Sequence, residues 1–183
     1  MWKVLSSRVV IHTPHLHLRS DRIELPDGSI VDDYFVQESR GYSVIFPITS
    51  DGQIVLVRQY KHGLGEVILE LPAGGIDPGE SPADCAVREL AEETGYLGAP
   101  PEFIASFATN PTGSNGRFYL YIIRDATLQQ AQSLDTTEQI EVELVSLATL
   151  RAYVRDGTIN TNTHISSILY IFDQATQGLV KLP

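Results

Sequence analysis

The sequence predicts an α/β (α+β) protein in which strands and helices share one domain. Three observations carry that expectation. Short β-branched and apolar runs bounded by turn residues recur from residue 9 to residue 145, the pattern of strands. Helix signals stand among and after them: Ser81-Pro82 with Gly95, a run ended by Gly157, and a run opened by Thr163. A length of 183 residues with 43% hydrophobic side chains suits one domain with a sizeable core.

Residues 1–40 predict two or three strands. Val9, Val10 and Ile11 form a β-branched run, residues 15–25 alternate loosely, and Pro26-Asp27-Gly28 turns the chain before a strand over 29–36. Strands over 42–48 and 53–59 are joined by the hairpin signal Ser50-Asp51-Gly52. A short strand over 67–71 feeds Pro72-Ala73-Gly74-Gly75, where glycine permits backbone geometries that other residues resist.

Ser81 is a good N-cap, Pro82 suits the first helical position, Asp84 completes a near capping box, and Gly95 suits a left-handed end. In the helix between them, Ala83, Val87, Leu90, Ala91 and Thr94 share one side, and Glu89, Glu92 and Glu93 fall on the other. Strands over 103–108 and 118–123 follow, separated by the turn-forming loop 110–116. A polar stretch, 129–139, precedes a strand over 140–145. Two helices close the chain, one over 147–156 and one capped by Thr163 and running to 177. The last presents Ile165, Ile168, Leu169 and Phe172 as its core stripe.

Three carboxylates on one helical turn repel one another, so the clustering gains nothing unless a cation sits there. Hard divalent cations such as Mg²⁺ take oxygen ligands, usually a few carboxylates plus substrate phosphates. Arg88 stands beside the cluster and can pair with Glu92 at i, i+4 or with Glu80 from the loop. For R-E-x-x-E-E alone the plainer alternative is a solvated acidic face carrying an ion pair.

Gly74, Glu80, Arg88, Glu89, Leu90, Glu92, Glu93 and Gly95 stand at the spacing G, five residues, E, seven residues, R-E-aliphatic-x-E-E-x-G. This resembles the Nudix box, the signature of hydrolases that cleave a nucleoside diphosphate linked to another group. Tyr96 departs from the aliphatic residue usual there. The resemblance implies a Nudix-type α/β/α sandwich with a mixed sheet over 41–183, and an N-terminal antiparallel β-segment over 1–40. It further implies Mg²⁺ (Mn²⁺ as a substitute) held by Glu89, Glu92, Glu93 and the Ala73 carbonyl, with Arg88 and Glu80 fixing helix and loop.

Other features resemble the members that act on ADP-ribose. These are V-R-Q-Y ending at Tyr60 with basic Lys61 next, E-L-P-A-G beginning at Glu70, and Pro111 as the sixteenth residue after Gly95. The resemblance implies Arg58, Lys61, Glu70 and Pro111 on the substrate side, Glu70 being equally a metal ligand or a strand-end cap. Lys61 otherwise reads as a solvated basic strand end. Many of those members carry an acidic residue near position 116, where this chain has Gly116 and Arg117, so other nucleoside diphosphate sugars stay open. In them the loop before the last strand is acidic and mobile and supplies a Glu that acts as base or helps to orient the attacking water. Glu138 is the candidate and Glu141 the alternative, against a solvated loop. The N-terminal segment is implied to form a homodimer and part of the pocket, or else to be an edge sheet covering the core.

A net charge of −10 argues against a general nucleic-acid binder, which presents a basic stripe. No apolar run approaches the ~18 residues a membrane span needs. The single Cys85 excludes an intrachain disulfide framework and, with no signal-peptide pattern at the start, fits a cytoplasmic protein. Its position inside the helix reads as small packing rather than a reactive thiol. His164 reads as a surface or capping residue, and His12, His15, His17 and His62 lack metal-ligand spacing. Against the enzyme stand a Nudix-fold module that binds nucleotide without cleaving it, and an acidic interaction domain whose Glu face is incidental.

Overall fold

The computed structural model describes residues 1–183. Eleven strands and three helices follow one another as β1 (Lys3–His12), β2 (His17–Glu24), β3 (Ile30–Glu38), β4 (Tyr42–Thr49), β5 (Ile54–Lys61), β6 (Glu66–Glu70), β7 (Ala73–Gly75), α1 (Pro82–Thr94), β8 (Tyr96–Leu97), β9 (Glu102–Ala108), β10 (Arg117–Leu128), β11 (Ile140–Val145), α2 (Leu147–Asp156) and α3 (Asn162–Thr176). β1, β2 and β3 form an antiparallel sheet in that order. The remaining strands form a mixed sheet of eight, ordered β11-β5-β4-β10-β8, with β6 on β5, β7 on β4 and β9 on β10.

The chain divides into two compact units, 1–41 with 107–118, and 42–106 with 119–183. Residues 107–118 group with the N-terminal strands through hydrogen bonds rather than sequence proximity. Gln37 N donates to the Gly113 carbonyl, Ser39 N to Oδ1 of Asn115, and the Tyr34 hydroxyl to the Thr112 carbonyl.

In the second unit the core is built on β4. Side chains alternate across a strand, so its odd and even residues face opposite sides. Ser43 donates to the Pro82 carbonyl of α1, and Ile45 packs with Ala86, Leu90, Tyr121 and Ile123. Tyr42 instead bonds Thr163 of α3. Helices therefore cover both faces, the helix–sheet–helix layering expected.

α1 begins and ends as its caps dictate: Oγ of Ser81 accepts from Asp84 N, and Gly95 takes φ of 76° while its N–H reaches the Ala91 carbonyl. Its faces differ from expectation. Val87 is exposed, while Glu89 and Glu93 join Cys85, Ala86, Leu90 and Thr94 among the buried residues. The carboxylates share the inward stripe because they have polar partners there. α3 also differs. Its N-cap is Thr161 rather than Thr163, and its core stripe uses Ile168, Ile171 and Phe172 while Leu169 is exposed. β10 runs to Leu128, past the expected end at 123, so that Leu128 and Thr127 pair with β8. No helix is long and apolar enough to cross a membrane.

Candidate active site

The turn from β7 into α1 brings the acidic residues against backbone. Gly74 carries the reason for its own identity: a Cβ there would lie 1.9 Å from Cδ of Glu89 and 2.0 Å from its Oε1. Only glycine leaves space for that carboxylate. Glu93, 3% exposed, accepts a 3.0 Å hydrogen bond from Ala73 N. Two of the helix carboxylates are thus seated against β7 itself.

Arg88 ties helix to loop. Its guanidinium makes a bidentate pair with Glu80 (2.8 Å on both nitrogens) and donates to Glu89, to Glu92 and to the Gly75 carbonyl. Both partners foreseen for Arg88, Glu80 and Glu92, are made at once. A planar fork with several fixed donors suits this role and an ammonium does not. The Arg88 hydrogen bond drives the Glu80 carboxyl down to about 2.

Charge is held here against its preference. Burial pushes the Glu93 carboxyl up to about 8, with Glu89 and Glu138 adding to the rise while the Ala73 amide and Lys61 oppose it. Burial likewise raises Glu89, against the pull of Arg88. Carboxylates made costly by burial and by one another stay ionised when a cation joins them. The donors are all oxygen, carboxylates with a turn carbonyl beside them, and that chemistry fits a hard divalent ion. No three His, Cys, Asp or Glu side chains already converge as a preformed metal site. Glu89 and Glu92 are turned to Arg88, and Glu93 to Ala73.

The loop between β10 and β11 is pinned to the C-terminal end of α1. Nε2 of Gln132 donates to the carbonyls of Glu93 and Ile140, and Ser133 N donates to that of Glu92. Gln129 N and Gln130 N reach the Gly95 carbonyl. Glu138 closes a turn with Asp135 and lies within electrostatic reach of Glu89 and Glu93. Glu141 instead sits on β11, exposed and in register with Arg58.

Lys61 and Glu70 belong to one network. Oε1 of Glu70 accepts from Lys61 Nζ at 2.7 Å and from Gln59 Nε2 at 3.0 Å, while Oε2 lies 2.9 Å from His164 Nε2. Burial would raise the Glu70 carboxyl, but His164 and Lys61 outweigh it and hold it below its ordinary value. His164 is buried, not a surface or capping residue.

Arg58 is not brought into this set. On β5 it alternates with Gln59, so it points to the other face, where it pairs with Glu143 at 2.7 Å beside the Tyr153 hydroxyl. Pro111 lies in the other unit, itself exposed in the 110–116 loop. Cys85 is inert: buried, its Sγ facing the Gly74 and Gly75 carbonyls, its thiol pushed up to about 11 by burial.

His164, Gln59 and Gln132 are site residues that reading the sequence did not find. The first two meet Glu70 across strand alternation and the final helix, and no local motif marks either. Gln132 stands in a polar run that gives no sign of which side chain bonds where.

A NUDIX domain profile matches residues 39–164, and a nucleoside diphosphate sugar hydrolase N-terminal domain profile matches residues 2–37. The chain is 32% identical over 170 residues to the methanol dehydrogenase activator of Bacillus methanolicus, spanning 92% of this chain and 88% of that protein. It is 30% identical over 146 residues to the ADP-ribose pyrophosphatase of Bacillus subtilis (strain 168), spanning 79% and 78%. A crystal structure of an ADP compounds hydrolase shares the fold, with a TM-score of 0.82 at 23% identity over 98% of this chain and 97% of that one. With a profile match over most of its length, and with the box residues gathered on one turn, the chain belongs to the Nudix family.

Proposed function

We propose that this chain is a Mg²⁺-dependent hydrolase (Mn²⁺ serving as a substitute) that cleaves the pyrophosphate bond of ADP-ribose to AMP and ribose 5-phosphate. The observation that carries the reading is the pair Glu89 and Glu93, buried against β7 and tied to it by Arg88 and the Ala73 amide. Relatives named for ADP-ribose hydrolysis support the substrate.

Glu89, Glu92, Glu93 and the Ala73 carbonyl would hold the metal. Bound there, Mg²⁺ supplies charge neutralisation for the diphosphate and polarises the attacked phosphorus and the leaving oxygen. The side chains do the rest. Arg88 and Glu80 keep helix and loop in fixed register, so the ligands need no reorganisation. Glu138 is the candidate for the group that takes a proton from water, because it lies within electrostatic reach of Glu89 and Glu93, whereas Glu141 lies exposed on β11 opposite Arg58. Lys61, with a free face beyond its bond to Glu70, contacts the diphosphate as a point charge.

A second reading, hydrolysis of another nucleoside diphosphate sugar, is favoured by Gly116. A Cβ there would approach Oγ1 of Thr109 to 3.0 Å and Oγ of Ser114 to 3.1 Å, so an acidic residue at this position, common in ADP-ribose enzymes, would need those hydroxyls to give way. The N-terminal unit fits a homodimer: β1 is exposed along all ten residues, with Val4, Val9, Val10 and Ile11 uncovered.

The test is a substrate panel of ADP-ribose, ADP-glucose, GDP-mannose, NADH and diadenosine polyphosphates with Mg²⁺ or Mn²⁺, following monophosphate release. ADP-ribose should give the highest kcat/KM, and turnover of GDP-mannose alone would overturn the substrate while keeping the chemistry. Glu93→Gln should lower kcat by about a hundredfold or more, because a preorganised charge is lost at the reacting centre. An unaltered rate in a folded variant removes the metal-site assignment.

A further inference from the structure

Of the buried carboxylates in the second unit, Glu70 carries the most partners: it is 5% exposed, with Gln59 and Lys61 on Oε1 and His164 on Oε2. His164 reaches it from the first turn of α3, far along the chain from β6. The ring is itself buried, and its Nδ1 has no hydrogen-bond partner. Leaving a buried polar atom unsatisfied is costly. The orientation of the ring therefore serves Nε2 and Glu70, at the expense of Nδ1.

Lys61 is the opposite case. It is partly exposed and within electrostatic reach of Glu93. An ammonium carries three donors, of which Glu70 takes one. We propose that His164 is a positioning residue for diphosphate binding: its hold on Oε2 fixes the plane of the Glu70 carboxylate, so that Oε1 keeps Lys61 turned with its remaining N–H groups toward the phosphate oxygens. This rests on the reading of Lys61 as a diphosphate contact. Without His164 the second carboxylate oxygen is left buried and unpaired, which is costly. Lys61 is the flexible partner already bonded to Glu70, and turning inward to bridge both oxygens would withdraw it from the substrate.

The experiment is steady-state kinetics with ADP-ribose and saturating Mg²⁺ on His164→Leu, His164→Gln, Lys61→Met and the double variant His164→Leu/Lys61→Met. His164→Leu should raise KM about tenfold with kcat within about twofold, the signature of lost ground-state binding. His164→Gln retains an N–H at the position of Nε2 and should recover most of the KM, which a merely space-filling role would not require. In the Lys61→Met background, His164→Leu should add little, because the two act on one contact. An unchanged KM in folded His164→Leu, beside a raised KM in Lys61→Met, overturns the proposal alone. An unchanged KM in Lys61→Met overturns the reading of Lys61 and the proposal with it. Should His164→Leu not fold, Glu70→Gln is read in its place: a raised KM supports the mechanism and an unchanged one ends it.

Discussion

A methyl group at Gly74 would fall inside the carboxylate of Glu89, and a displacement of about 1 Å at a reacting centre costs roughly a hundredfold in rate. Gly74→Ala should therefore lower kcat by about that factor, with a stability loss of only about 1–3 kcal/mol from overpacking. Parallel measurement of kcat and Tm checks it, and a wild-type kcat would mean that Glu89 is not needed where it lies. Glu80 makes a different prediction. Its native carboxyl sits at about 2 against an ordinary 4.5 because Arg88 bonds its charged form. A depressed native value means that the unfolded chain binds the proton more readily, so the stabilisation is complete above about pH 4.5 and is lost as pH falls toward 2. Glu80→Gln should flatten the acid limb of stability against pH over that window in urea titrations, and an equally steep limb would contradict the pairing.

At the scale of elements, α1 is defined at both ends by local chemistry: the Ser81 cap and the Gly95 turn. Its carboxylates are oriented partly by Arg88 on the same helix and partly by the rest of the fold. The 129–139 loop, which carries Glu138, is hydrogen-bonded to the carbonyls of Glu92 and Glu93. Gln132→Ala frees one side of that grip. It should reduce kcat by about tenfold, the scale of an outer-shell loss, while leaving far-ultraviolet circular dichroism unchanged. Loss of helical signal would instead assign Gln132 to folding. The loop was expected to be acidic and mobile, and its acidic character is plain in the sequence. Its tether is not, because hydrogen bonds between a polar run and helix-end carbonyls leave no periodic trace.

At the scale of the molecule, β1 exposes a row of β-branched residues on an edge strand, which is a liability unless a partner covers it. The homodimer reading predicts that Val9→Asp/Ile11→Asp lowers the mass measured by light scattering to that of one chain, with the second unit still folded. A monomeric parent protein would remove that reading. A −10 chain that binds a diphosphate must also borrow positive charge. Chelation should accordingly abolish turnover, and added Mg²⁺ should restore it.

By itself the amino-acid sequence determined what depends on neighbours in the chain. The caps of α1, the hairpin at Ser50-Asp51-Gly52 and the spacing from Gly74 to Gly95 are all short-range facts, and the box needs only one turn of helix to gather its carboxylates. Tertiary structure decided which way side chains turn once distant strands and helices meet. It sent Arg58 to Glu143 on one face of β5 and Lys61 to Glu70 on the other. It buried Glu89 and Glu93 where the pattern expected Val87, and it brought His164 under β6. The reason is physical: period and capping specify an element, but burial of a charge is permitted only where partners from elsewhere in the fold can repay its lost water.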